Sequence, residues 1–350
     1  MAVQEKPPLS HAPFAAAGGG ILRRLLAHYW TVAPRLLHGL RPEEAPGAEP
    51  WSTTLQDPRT GTVRLTGLIR RREGPGLLLV VHGLGGSAES FYALRAARAA
   101  EAAGLSCLRL NLRGAALDGE DFYNAGLVED LQAALASPEV RGFDDVYILG
   151  YSLGGHLALR WACLPGDGAV RAVAAVSSPL DLERCAAWID RPAAFPYRRY
   201  LLDGLFRIYE RVARRRPVPL PPEEVRKIRG LRAFDEAVVA PRFGFAGASD
   251  YYARMSAGPL LPALRIPAIL AWSPLDPMVP PEGLLPFLPE APRLRLALLQ
   301  RGGHVGVPAD LDLRLPGPPG LENQLVRWLL DAGRGPAPSP TGGGRGPEGP

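Results

Sequence analysis

The chain has 350 residues, a formal net charge of +5, 47% hydrophobic and 21% charged residues, the balance of a soluble globular protein. Three cysteines (Cys107, Cys163 and Cys185) lie far apart in apolar surroundings, which excludes a disulfide framework and a Cys/His metal cluster and fits free thiols in a reducing compartment. Between Asp181 and Gly258 there are 15 Arg+Lys against 10 Asp+Glu, so this one segment carries the whole positive excess; no aromatic-interleaved basic array accompanies it, which argues against nucleic-acid binding.

Residues 1–19 are Pro/Ala/Gly-rich without periodicity and read as disordered, with none of the features of a signal peptide. From Ile21 to Leu40 apolar residues recur at helical spacing, with Arg23, Arg24, His28 and Arg35 elsewhere on the wheel and Pro34 expected to break or kink the helix. The charges exclude a spanning helix, leaving an amphipathic one that docks on the body or lies on a membrane surface. Alternating runs around Asp57-Pro58-Arg59-Thr60-Gly61 predict a hairpin within Thr53–Arg72. Apolar runs at 76–81, 106–110, 146–149, 169–176, 266–272 and 293–299 predict strands, separated by helical patterns near 90–103, 125–136, 156–162, 282–288 and 320–332. Repeated β-α units imply an α/β fold with a mostly parallel, doubly wound sheet. Residues 178–258 interrupt the alternation with Trp, Tyr, Phe, Pro and Arg in helical patches and read as an inserted helical lid. The expected organisation is therefore a core of residues 20–177 and 259–333, the insertion, and a disordered Gly/Pro-rich tail from 334 to 350.

The chemistry-bearing stretch is Gly150-Tyr151-Ser152-Leu153-Gly154, between a β-branched strand and a helical run starting at His156. Strand, sharp turn and helix make G-x-S-x-G a nucleophile elbow, with Ser152 above the end of the strand. A serine hydroxyl needs a base, and the base needs an orienting acid, each expected later in the chain just past a strand. Asp276, in Ser273-Pro274-Leu275-Asp276-Pro277, fits the acid, and His304, in Gly302-Gly303-His304-Val305-Gly306, fits the base. An oxyanion hole needs two preorganised N–H donors; Leu153, at the start of the elbow helix, and Leu84, in the loop His82-Gly83-Leu84, are the candidates. His82 itself reads as a hydrogen-bonding residue that shapes its loop. Asp118, Glu120, Asp121, Glu129 and His156 are ionisable alternatives with weaker positional support.

These motifs, with Asn111-Leu112-Arg113-Gly114, Phe234-Asp235 and Asp250-Tyr251-Tyr252, resemble those of the α/β-hydrolase superfamily over roughly residues 75–310, and more narrowly its YheT-like branch, related to the ABHD1/ABHD3 lipid hydrolases and EMB8-type proteins. That branch often has two acids before the proline, whereas position 275 here is Leu, and the sequence after His304 is unusually proline-rich. The resemblance implies short- to medium-chain acyl or lipid esters as substrates. The expected activity is ester hydrolysis by Ser152, Asp276 and His304 through an acyl-enzyme, with no metal or organic cofactor. Acyl transfer to an alcohol and a non-catalytic binding scaffold are the alternatives. The expected location is cytoplasmic, and residues 21–40 or the basic lid are the surfaces that would touch the inner face of a membrane.

Overall fold

A computed structural model describes residues 20–166 and 168–334, so the segment expected to be disordered at 1–19, and all but Arg334 of the one expected at 334–350, lie outside the described residues. Among the described residues eight strands form one sheet: β1 (Glu49–Asp57), β2 (Gly61–Arg70), β3 (Gly76–Val81), β4 (Ser106–Asn111), β5 (Asp145–Tyr151), β6 (Val170–Val176), β7 (Ala268–Trp272) and β8 (Leu294–Leu298), in the order β1-β2-β4-β3-β5-β6-β7-β8. β1 and β2 make the expected hairpin, β2 runs antiparallel to β4, and β4, β3, β5, β6, β7 and β8 pair in parallel. All six parallel strands therefore end at one edge of the sheet, the place where open α/β sheets form their ligand crevices.

β3 shows why the apolar runs are continuous. All six of its residues are buried, because the sheet is covered on both faces. Leu77, Leu79 and Val81 pack with α3 (Val128–Leu135) and α4 (Leu153–Ala162), while Leu78 and Val80 face α2 (Phe91–Ala102) and, at the far end of the chain, Leu321–Gly333. The helix expected at 282–288 is instead two short 3₁₀ turns, Pro281–Gly283 and Leu285–Phe287. Pro286, in the middle of that span, has no N–H to donate to the Glu282 carbonyl, as an α-helix would require.

Between β6 and β7 the described chain has no strand. It carries α5 (Leu182–Ile189), α6 (Phe195–Ala213), α7 (Ala248–Met255) and shorter turns, one of them a π-helical turn at Asp235–Val239. This insert is fastened at several points. Gly204 of α6 packs on Gly85, where a Cβ would come within 3.0 Å of the Gly85 Cα, and the Trp188 indole donates to the Pro277 carbonyl at 3.0 Å. Arg215 donates to the Asp118 and Gly119 carbonyls and Arg216 to that of Thr60, so these two cations tie the insert to the body.

α1 (Ile21–Leu40) is continuous through Pro34. The carbonyl that Pro34 cannot bond is that of Trp30, and the backbone of Gly306 lies directly against it, where a Cβ would overlap. The helix docks on the body, but not through its leucines. Ala27 and Pro34 are its buried residues, whereas Ile21, Leu22, Leu25, Leu36 and Leu40 are 60–85% exposed. Among the described residues no helix is long and apolar enough to cross a membrane.

A fully buried guanidinium fixes the hairpin to the sheet. Arg113, just past β4, donates through Nε and Nη2 to Asp130 of α3 and through Nη1 to Asp57 of β1, with Asp121 at 3.9 Å. Burial disfavours the Asp57 carboxylate, but its bonds from Arg113 and from the Arg59 and Thr60 N–H groups outweigh that and bring its pKa down to about 2.

Candidate active site

The site is built where β3, β5, β7 and β8 end. Ser152 follows β5 with φ +50° and ψ −118°, a strained conformation for a side-chain-bearing residue, and it opens α4. The turn is tight enough to require its two glycines. A Cβ on Gly150 would overlap the Gly154 backbone, and one on Gly154 would overlap the carbonyls of Val81 and His82.

The structure brings Ser152, His304 and Asp276 together in a single hydrogen-bonded chain. Ser152 Oγ and His304 Nε2 are 2.9 Å apart, and His304 Nδ1 is 2.9 Å and 3.1 Å from the two Asp276 carboxylate oxygens. Asp276 Oδ1 also accepts the Met278 and Val279 N–H groups at 2.8 Å and 3.1 Å, which fixes the orientation of the carboxylate. An imidazole that donates from Nδ1 to this carboxylate presents its Nε2 lone pair to the serine hydroxyl.

The loop after β3 lies beside Ser152. Three of its N–H groups are already used: Gly83 donates to the Tyr92 hydroxyl at 3.1 Å, Gly85 to the Tyr123 hydroxyl at 2.6 Å and Gly86 to the Gly83 carbonyl at 3.0 Å. The Leu84 N–H between them has no partner among the described residues, and neither does that of Leu153 at the start of α4. Burial lowers the His82 pKa to about 4. Its ring bonds the Gly83 carbonyl through Nδ1 and accepts the Leu112 N–H at Nε2, tying the loop to the end of β4.

None of the alternative ionisable groups touches Ser152 or His304 among the described residues. Asp118 and Glu120 engage Arg64, Asp121 bonds Thr60 and Arg242, and His156 bonds the Pro179 and Met255 carbonyls. Glu129, in the first turn of α3, lies outside the Ser152–His304–Asp276 cluster.

Two positioning groups left no mark in the sequence. The Thr31 hydroxyl of α1 accepts the His304 N–H at 2.9 Å and donates to the Ala27 carbonyl at 2.8 Å, and the Ser177 hydroxyl, just past β6, donates to the His304 carbonyl. His304 is thus held from both sides of its backbone. Tyr92 and Tyr123, which fix the loop after β3, were equally invisible, because nothing in a lone tyrosine says which distant N–H it will accept.

Two cavities meet at Ser152. The outer one, about 530 Å³, lies between the loop after β3, α6 and α1, with Tyr197, Tyr200, Leu201 and Val32 on its walls. The inner one, about 90 Å³, runs beneath the insert among Leu84, Leu182, Leu205, Met278 and Val279. The inner cavity is also lined by a polar pair: the Tyr252 hydroxyl donates to Asp235 at 2.6 Å, and burial pushes that carboxyl up to about 7. Tyr251 accepts the Ala125 N–H, and Asp250 accepts the Ala246 N–H and pairs with Arg254. The Asp250-Tyr251-Tyr252 motif therefore assembles the insert around the inner cavity.

A model of the alpha/beta hydrolase family matches residues 78–312, from within β3 to beyond His304. The putative esterase YheT of Escherichia coli is 32% identical over 243 residues, which are 65% of this chain and 69% of that protein. The monoacylglycerol lipase of Saccharomyces cerevisiae is 26% identical over 66% of this chain, and the match spans 54% of the yeast protein's length. A solved structure of a membrane phospholipase A, described as a bacterial virulence factor, superposes with a TM-score of 0.51 at 20% identity, covering 93% of this chain and 97% of that one, a likeness of fold. With eight strands in this order, an elbow after β5 and a family match over two thirds of its length, the chain belongs to the alpha/beta hydrolase family.

Proposed function

We propose that the protein is a serine hydrolase of carboxylic esters, with Ser152 as nucleophile, His304 as base and Asp276 as the acid that orients it. The observation that carries this reading is the Ser152–His304–Asp276 hydrogen-bond chain beside two unpartnered N–H groups. His304 Nε2 takes the proton as Ser152 Oγ attacks the ester carbonyl, and Asp276 stabilises the imidazolium. The Leu84 and Leu153 N–H groups, the latter at the positive end of α4, receive the oxyanion. His304 then protonates the departing alcohol, and water, deprotonated by the same imidazole, releases the acid from the acyl-enzyme. A fluorophosphonate probe should label the wild-type chain at Ser152 and leave Ser152→Ala unlabelled; a wild-type chain that does not react would leave only a binding scaffold.

In this reading residues 178–258 are a lid over a core of 20–177 and 259–333, and the substrates are acyl or lipid esters. Both cavities are walled largely by apolar side chains, and each buried methylene contributes about 0.8 kcal/mol. The names of the relatives, an esterase and a monoacylglycerol lipase, support the same class. Accordingly kcat/KM for p-nitrophenyl esters should rise from acetyl to octanoyl, whereas a flat or falling profile would remove acyl-chain burial from the proposal. Thr31→Val keeps the shape of the side chain but removes the acceptor for the His304 N–H. It should lower kcat about 10-fold with little change in KM, since a small misplacement of the base affects the transition state more than binding. An unchanged kcat would show that Ser177 alone holds the loop.

A further inference from the structure

α1 turns its hydrophobic side away from the protein. At about 100° per residue, Ala27, Thr31 and Pro34 lie together on the docked side, and Ile21, Leu22, Leu25, Leu26, Tyr29, Val32, Leu36, Leu37 and Leu40 fill an arc of about 160° opposite them. All nine are exposed, from 39% for Val32 to 85% for Leu40. An apolar face of this extent is rare on the free surface of a soluble chain and marks an interaction site. Arg23 on one flank, and Arg24 and Arg35 on the other, border the arc, and the helix contains no acidic residue.

The candidates for covering this face can be weighed from the chain itself. Residues 1–19 offer Met1, Val3, Leu9 and Phe14 as large apolar groups, and residues 335–350 offer none, too little to cover nine. A second copy related by a two-fold axis would set arginine against arginine with no acid from α1 between them, a costly juxtaposition. Anionic lipid headgroups match both features, since the apolar arc enters the acyl boundary while the flanking guanidinium groups reach the phosphates.

We propose that α1 docks the protein on an anionic phospholipid surface and sets the mouth of the outer cavity against it. Thr31, Val32, Arg35 and Leu36 line that cavity, so the helix that enters the headgroup layer is also one wall of the path to Ser152. The same helix holds His304 through Thr31 and meets α6 through His28–Tyr197 and Arg35–Tyr200 contacts. Binding and the position of the base are thus carried by one rigid element. The lipid-ester substrate rests on the function proposed above; the docking does not, and it is measured without turnover.

The test is flotation of the full chain, carrying Ser152→Ala, with vesicles of phosphatidylcholine alone or containing 30% phosphatidylglycerol. The expected result is binding that is stronger on the anionic vesicles and weaker as salt is raised. Leu22→Glu/Leu25→Glu/Tyr29→Glu, three positions outside the cavity wall, should reduce binding at least ~100-fold. In the Ser152 background the same triple variant should hydrolyse p-nitrophenyl acetate within about twofold of the parent, a check that it folds. Arg23→Glu/Arg24→Glu should abolish the preference for anionic vesicles. Wild-type chain that stays at the bottom of the gradient, or a triple variant that floats as well as its parent, overturns the proposal. A dimer in solution that the triple variant converts to monomer, without vesicle binding, assigns the face to a second copy instead.

Discussion

Asp276→Asn should lower kcat about 10⁴-fold while leaving the protein folded. His304 now donates from Nδ1 to the Asp276 carboxylate and keeps its Nε2 lone pair toward Ser152. An asparagine in the same place can turn its NH₂ toward Nδ1, which moves the ring proton to Nε2 and removes the base. The loop itself should survive, because the asparagine carbonyl can still accept the Met278 and Val279 N–H groups that Asp276 Oδ1 accepts. The measurement is kcat on a soluble ester, with circular dichroism to check folding. A near wild-type Asp276→Asn together with an inactive Asp118 or Glu120 variant would move the acid to the hairpin side, where both carboxylates engage Arg64.

Arg113→Met should destabilise the fold by about 3–5 kcal/mol, because it strands carboxylates that are buried around one cation. Arg113 and Asp130 are fully buried and Asp57 nearly so. The midpoint of thermal unfolding should fall by roughly 5–15 °C. Arg113→Lys should restore only part of this, since an ammonium cannot bond Asp130 with two donors and reach Asp57 with a third. A midpoint within about 2 °C of wild type would mean that the cluster is not a structural tie. The pH dependence has a definite sign. Asp57 is held at about 2, below its ordinary value of 3.8, so its contribution is present above pH 4 and is lost as pH falls from about 4 to about 2. In Arg113→Met that loss on acidification should shrink, because the main partner that depresses the pKa is gone.

The sheet was legible because its inner strands are covered on both faces: the apolar runs became the six parallel strands, β8 among them as a partly exposed edge strand, and the Pro-Arg-Thr turn became the hairpin. The residues brought together at the strand ends were also legible, since Ser152, Asp276 and His304 each follow a strand within a few positions, a local pattern. What the sequence concealed was set by distance and direction. Periodicity marked α1 as amphipathic but could not say that its small residues would face the body and its leucines the outside. The docked stripe of Ala27, Thr31 and Pro34 is intelligible only beside Gly303 and Gly306, which come much later in the chain. The helix expected at 282–288 failed because prolines outweigh an apolar period. Within the insert, the Asp235–Tyr252 pair depends on a π-helical turn that no residue pattern announces.

The seat of His304 also bears on how this chain can change over generations. Thr31 and His304 are 273 positions apart, yet they share a hydrogen bond, and side chains at 303 or 306 would collide with the backbone of α1. Neither partner can be altered freely while the other stays. A mutation of Gly303 is tolerable only if the helix has already shifted, and a bulkier residue at Ala27 or Thr31 only if the loop has. Helix and loop should therefore be inherited together and lost together, and in relatives whose chains start at the sheet the two glycines should be free to drift.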